Sequence, residues 1–295
     1  MVTAEEFEGH RPMLLGLAYR LLGSMWDAED VVQEAFLRWM RTERGEIREP
    51  RAFLVTVVTR LGLDQLRSAR VAREAYTGPW LPEPADDSET LGPLDTVELR
   101  DTLSYATLHM MERLSPPERA VFVLREAFEL PYDEVARIVG VSLANCRQLY
   151  HRAGKRMAEV RGRFRPSTED HAKLVEHILD AARGGDLEGL AELLSEDVVA
   201  WTDGGGKVRA PLRPIAGRDK VLRFLAGVSD RYGAYAAWLV TVNLRAAIWL
   251  QSGNQRQLVM FRFRDGLVDE IYGIRNPDKL SRIRTRPWQT DEAIA

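Results

Sequence analysis

A single cysteine, Cys146, stands in the 295-residue chain, so no intrachain disulfide and no cysteine-based zinc cluster can form. A reducing cytoplasm is therefore the expected compartment. No apolar run approaches the roughly 18 residues that a membrane-spanning helix needs. The stretch from Met1 to His10 is acidic and has no apolar segment of the signal-peptide kind. Charge of one sign is scarce as well. With 41 Lys and Arg against 44 Asp and Glu, the net charge is -3, which excludes binding to nucleic acid through uniform basicity. What remains is a composition of 45% hydrophobic and 29% charged residues, ordinary for folded domains, and a length that suggests about two of them.

The first 75 residues read as helical. Leu14, Leu15, Leu17, Ala18, Leu21 and Leu22 make one apolar face, and Gly23-Ser24 breaks it. Asp27 is the expected cap of a second helix that runs through Val31, Val32, Ala35, Phe36, Trp39 and Met40. After a polar loop, Thr42 to Pro50, a third helix begins near Arg51 and ends in a basic run with Arg67, Arg70 and Arg73. Residues 76–101 break this pattern. They hold seven acids against one Arg, are rich in Pro and Gly, and read as a linker. Helices return over 102–165. Residues 167–285 then give two helices followed by short β-rich runs, with Asp265-Gly266 as a hairpin turn, which predicts an α+β domain. Residues 286–295 are a tail.

Tyr132 to Met157 has the spacing of a helix-turn-helix. Ala136 is small where a second helix crosses, and Gly140 suits a turn with positive φ. Ser142 is placed to cap, and Val135, Val139, Val141, Cys146 and Leu149 lock the pair together. Cys146 is expected in the core. The second helix presents Asn145, Arg147, Gln148, His151, Arg152, Lys155 and Arg156. These side chains suit base edges and phosphates in a major groove. Arg147 to Arg165 carries seven basic residues and one acid, a local footprint that the net charge conceals.

Three stretches, in order, resemble the extracytoplasmic-function sigma factors of bacterial RNA polymerase: DAEDVVQEAFLRWMR, PRAFLVTVVTRLGLDQLRSAR and the region-4-like segment from Leu114 to Met157. The C-terminal part resembles a SnoaL-like domain of the nuclear-transport-factor-2-like fold, fused in one group of these factors. That group shares three motifs that are intact here: Trp80-Leu81-Pro82-Glu83-Pro84, Asp203-Gly204-Gly205-Gly206-Lys207 and Asn276-Pro277-Asp278-Lys279-Leu280.

The resemblance implies a multidomain chain: two all-α sigma domains, region 2 at 1–75 and region 4 at 102–165, then the α+β domain. It implies promoter-specific initiation with core polymerase (β and β′ subunits) and promoter DNA as partners, in the cytoplasm, with no cofactor, metal or catalytic residue. Asp30, Gln33, Glu34 and Leu37 would face the polymerase. Arg51, Arg60, Arg67 and Arg70 are candidate cations for the −10 strand, and the second helix of the helix-turn-helix would read the −35 element. Arg119 and Arg125 are candidates either for phosphate contact or for surface ion pairs. The acidic linker is expected to thread a polymerase channel where nucleic acid otherwise lies.

In the C-terminal domain, Trp201, Phe224, Trp238, Trp249, Met260, Phe263 and Tyr272 either line a cavity or fill a core. A ligand for such a cavity is not identified. Asp203, Asp219, Asp269 and Glu270 are the available acids, and no spacing marks a catalytic pair. His171 and His177 are expected on the first helix, away from the cavity. The Asp203–Lys207 run lacks P-loop spacing and suits a contact loop. The three motifs are therefore expected at a regulatory contact with the linker or region 2. The alternative is a DNA-binding regulator fused to an active cyclase or isomerase domain.

Overall fold

The computed structural model describes residues 3–43, 47–86, 102–158, 166–232 and 235–283. The chain divides into two compact units, Met1–Ala75 with Asp87–Val160, and Tyr76–Asp86 with Arg161–Ala295.

In the first unit, α1 (Ala4–Leu22) starts at Thr3, whose hydroxyl accepts from the Glu6 amide, and stops at Gly23, where φ is 68°. The cap of α2 (Met25–Arg41) is Ser24 and not Asp27. The Ser24 hydroxyl accepts from the Asp27 amide, and the Asp27 carboxylate accepts from Gln65. Helix α3 (Pro50–Glu74) begins with proline, whose missing N–H costs nothing at that position. Trp39 is fully buried among these helices and its indole N–H donates to the Thr3 carbonyl.

Four shorter helices follow: α4 (Tyr105–Met111), α5 (Pro116–Glu126), α6 (Tyr132–Val139) and α7 (Leu143–Ala158). Gly140, with φ 77°, ends α6, and the Ser142 hydroxyl caps α7. Cys146, Leu149, Ala153 and Met157 form the buried face of α7, and burial pushes the Cys146 thiol up in pKa.

A buried ionic seam joins the ends of α1 and α3 to α4 and α5. Arg20 donates to the Thr102 hydroxyl (2.8 Å) and to the Gly16 carbonyl (3.0 Å). Burial lowers the pKa of Arg20 to about 10. The carboxylate of Glu112 accepts from both Arg73 and Arg119. These arginines in turn satisfy the last carbonyls of α1: Arg119 donates to Arg20 O (3.0 Å) and Arg73 to Leu22 O (2.8 Å). Arg119 is therefore neither a phosphate contact nor a surface pair. It is 2% exposed. Arg125 lies over the Tyr132 ring at 4.3 Å and donates to the Leu130 carbonyl, so it too is occupied within the fold.

The second unit has α8 (Thr168–Gly184) and α9 (Leu187–Leu193), then β1 (Leu194–Asp203), β2 (Ile215–Ala216), α10 (Arg218–Tyr232), β3 (Ala236–Val242), β4 (Arg245–Ser252), β5 (Gln255–Arg264), β6 (Leu267–Ile274) and the short α11 (Pro277–Leu280). The sheet order is β2-β1-β6-β5-β4-β3, with β1 parallel to β6 and the other pairs antiparallel. This is the α+β architecture expected. Val175, Ile178, Val221, Ile248, Phe261 and Ile271 are among the residues that pack helices against one sheet face.

Most of the expected cavity aromatics lie on the other face. Register sets Trp201 beside Tyr272 and Tyr272 beside Met260, and runs Asp203–Ile274–Leu258–Trp249–Trp238 across the strands. Strand side chains alternate, so this set points away from the face of Ile248 and Phe261. Of the seven residues only Phe263 belongs to the helix-covered core. Phe224 is half-buried on α10.

His171, by contrast, turns inward. Its ring meets Phe263 edge-on at 5.0 Å, whereas His177 is exposed. Burial first, and the Arg245 charge second, lower the His171 pKa to about 4. The unfolded chain therefore takes up the proton first. The folded state keeps full stability above about pH 6.5 and loses it as pH falls towards 4, by about 3 kcal/mol at most. Denaturant titrations from pH 7.5 to 4.5 should show this decline, and His171→Leu should flatten it. An equal decline in that variant would contradict the assignment.

Candidate functional site

The Asp203 carboxylate, at the end of β1, is fully buried. A buried charge has to be paired and hydrogen-bonded, and partners from three separate stretches of chain do this for Asp203. Tyr76 O–H donates to Oδ1 (2.7 Å) and the Leu81 amide to Oδ2 (3.1 Å). The Gly205 amide donates to Oδ1 (3.0 Å), and Lys279 Nζ reaches Oδ2 (2.8 Å). The backbone repeats the link, because the amides of Arg275 and Asn276 both donate to the Asp203 carbonyl. Asn276 caps α11 through its side-chain oxygen and donates through Nδ2 to Tyr76 Oη (2.9 Å). Lys279 also donates to the Leu81 carbonyl and sits 4.2 Å from the centre of the Trp80 ring. Burial, and then the bond to Asp203, raise the Tyr76 pKa far above its ordinary value.

The structure thus brings together all three motifs. Leu81, Pro82, Glu83 and Pro84 are buried and Trp80 is half-buried. Leu280 is buried, while Pro277 and Asp278 face solvent, Asp278 pairing with the exposed Lys207 at 2.5 Å. The glycines have a steric reason. Gly205 and Gly206 have φ of 60° and 70°. A Cβ on Gly205 would lie 2.6 Å from Asn276 Cγ, and one on Gly206 would lie 3.3 Å from Thr77 Cβ. Gly204 is buried, and a Cβ there would press on the Val208 carbonyl.

A second anchor was not foreseen. Asn243 and Leu244, both with positive φ, form the two-residue turn between β3 and β4. The Asn243 amide donates to Ala85 O (3.0 Å), its Oδ1 accepts from the Ala85 amide (3.1 Å), and Asp86 bridges to Val242. Tyr76 was missed as well. An Asn at a hairpin turn and a Tyr at the first linker position are the signals that were available.

On α7, Asn145, Arg147, Gln148, His151, Arg152, Lys155 and Arg156 are all exposed. They are not equivalent. Arg152 Nε and Arg156 Nη1 both donate to Glu118 on α5, at 3.1 Å and 2.6 Å. Arg147 extends towards the Tyr132 ring, 5.8 Å away.

On α2, Asp30, Gln33 and Leu37 are exposed and Glu34 is half-exposed, paired with Arg38 at 3.0 Å. Trp26 and Met40 continue the same helical face with 54% and 43% exposure. Arg51 is exposed, and Arg67 pairs with Asp64 at 2.9 Å. Arg60 donates to the carbonyls of Ile138 and Arg137 at the end of α6. The Arg70 side chain, loop positions 44–46 and the acidic stretch 87–101 lie outside the described residues.

The remaining acids of the second unit are engaged or exposed. Arg262 holds Asp269 through two 2.8 Å bonds and Glu270 at 3.1 Å, Tyr272 O–H donates to Glu270, and Asp219 is exposed.

Comparison with known proteins agrees with the order of the parts. Residues 7–71 match the Sigma-70 region 2 family, and residues 105–157 match the Sigma-70 region 4 family. The chain is 39% identical over 302 residues to the ECF RNA polymerase sigma factor SigJ of Mycobacterium tuberculosis, covering 95% of this chain and 94% of that protein. It is 39% identical over 199 residues to the probable ECF RNA polymerase sigma factor SigI of the same species, covering 67% of this chain and 68% of that one. The crystal structure of M. tuberculosis SigJ superposes with a TM-score of 0.78 at 36% identity, covering 96% of this chain and all of that one. The chain belongs to the extracytoplasmic-function sigma factors of RNA polymerase.

Proposed function

We propose that this sigma factor docks on the core polymerase through the exposed face of α2, reads the −35 duplex with α7 and engages the −10 strand from α3. The C-terminal unit is proposed to control, in cis, the tether between the two DNA-reading parts. The observation that carries this reading is the Asp203 hub. Of the 26 residues at 76–101, the eleven from Tyr76 to Asp86 belong to the C-terminal unit. The other fifteen can reach about 50 Å when extended. The −10 and −35 elements lie about 25 base pairs apart, which is about 85 Å along a duplex. Once the seam of Arg73, Glu112 and Arg119 between the two parts opens, holding or releasing the first part of the tether changes what they can span together.

The face of α2 has the chemistry of a docking surface. Acidic and amide side chains alternate with exposed Trp26, Leu37 and Met40, a composition that suits a basic helical partner with an apolar ridge. The basic coiled coil of the polymerase β′ subunit is the proposed partner, and the cytoplasm the proposed compartment. Among the described residues no helix is long and apolar enough to cross a membrane. A regulatory rather than catalytic role for the C-terminal unit is supported by its acids. Asp203 is spent on the tether, and Asp269 and Glu270 are spent on Arg262.

Two experiments test this. Glu34→Lys should weaken binding to core polymerase by about 1–2 kcal/mol, because a rim carboxylate becomes a like charge against a basic partner. Unchanged affinity would count against the docking face. The paired substitution Tyr76→Phe with Asn243→Ala should loosen the tether while leaving Asp203 and Lys279 paired. Transcription in vitro from a cognate promoter should then change at least threefold relative to the intact chain, and identical transcription would overturn control through the tether.

A further inference from the structure

The basic residues of α7 divide into two sets, and one buried carboxylate makes the division. Glu118 is the third residue of α5 and is 3% exposed. Its Oε2 accepts from the Ser115 amide (2.9 Å) and hydroxyl (2.8 Å), which closes the capping box of α5. The same carboxylate accepts from Arg152 Nε (3.1 Å) and Arg156 Nη1 (2.6 Å), one turn apart on α7. Arg156 also donates to the Arg113 carbonyl. Burial works against ionisation of Glu118, but the Ser115 bonds, the Arg156 charge and the Arg152 hydrogen bond prevail and hold its carboxyl below the usual range.

On the helix, Arg152 and Arg156 lie on the flank that turns towards α5. Asn145, Arg147 and Gln148 occupy the first turns, the part of a recognition helix that meets base edges. Gln148, His151 and Lys155 point most directly away from the buried stripe of Cys146, Leu149, Ala153 and Met157.

We infer that Glu118 is a positioning residue that withholds Arg152 and Arg156 from DNA and sets the seat of α7, so that base reading falls to Asn145, Arg147 and Gln148. The inference rests on the proposed reading of a duplex by α7. Two free guanidinium groups on the flank would grip any phosphate they reached, adding affinity without sequence information. A buried partner that holds a donor of each and cancels one of their two charges lowers this indiscriminate contribution and pins the helix against α5 at the same time.

The test uses the full-length chain and a 30-base-pair duplex of mixed sequence, with affinity measured between about 50 and 200 mM salt. Each additional phosphate contact steepens the plot of log affinity against log salt by about 0.9. Glu118→Gln should bind this duplex more tightly than the natural chain, with a slope steeper by up to about 1.8. Glu118→Gln combined with Arg152→Ala and Arg156→Ala should lose that gain. Glu129→Gln removes an exposed carboxylate as a control for charge alone and should change the slope far less. Selection from a randomised duplex pool should give a weaker consensus for Glu118→Gln than for the natural chain.

An unchanged slope in Glu118→Gln, with its circular dichroism melt intact, would overturn the inference, as would a steeper slope that survives loss of both arginines. If Glu118→Gln does not fold, Arg152→Gln is compared with Arg147→Gln, and the first should lower the slope by less than half as much. Equal losses would refute the division. Arg147→Gln tests the underlying reading separately: no change in either slope or selected sequence would show that α7 does not read the duplex.

Discussion

A carboxylate shut away from water can stay charged only if the fold brings donors to it. Asp203 is fully buried at the end of a strand, and its donors come from three places far apart in sequence: Tyr76 and Leu81, Gly205, and Lys279. Removing any one of them would leave buried charge poorly compensated, at a cost of several kcal/mol when the lost partner is itself charged. This explains why three short motifs, over a hundred residues apart at the widest, behave as one object. It also turns a segment that composition marks as a linker into part of the C-terminal unit. The tether is built to match, with buried Leu81 and Ala85, prolines that have no N–H in need of an acceptor, and a return hydrogen-bond pair to Asn243.

The same device recurs twice in the first unit. Glu112 collects Arg73 and Arg119 where α1 ends, and Glu118 collects Ser115, Arg152 and Arg156 under the recognition helix. In each case one acid gathers groups from separate helices, and the geometry is directional where apolar packing would not be. Buried ion pairs contribute little net stability compared with well-packed apolar side chains. What they supply here is orientation: of carbonyl-capping arginines, of α7 on α5, and of the tether on the sheet.

Much of this was legible in the sequence. Gly140 and Ser142 mark the helix-turn-helix because each answers a local backbone need. The glycines after Asp203 announce a close approach. Asn276 opens α11 as asparagines before proline commonly do. Other features depend on tertiary context. Ser24 and Asp27 are both good caps, and only the point where α1 stops decides between them. The aromatic set of the C-terminal sheet was read as one group, yet strand alternation puts Trp201, Trp238, Trp249, Met260 and Tyr272 opposite Phe263, which lies an odd number of residues from Met260 on β5. Arg119 looks like any helical surface arginine until the end of α1 is laid against it. Asn243 has no motif around it, and its role appears only when two strands and the tether meet.

The central claim is that residues 76–86 fold with the C-terminal unit. The direct measurement is amide hydrogen exchange of the intact chain, read at Leu81, Ala85 and Asn243, whose N–H groups donate to Asp203, Asn243 and Ala85. If the claim holds, these amides exchange as slowly as those in the core strands β5 and β6 and lose protection together with them in denaturant. Exchange at Leu81 and Ala85 at the rate of an unstructured chain, while β5 and β6 stay protected, would contradict it.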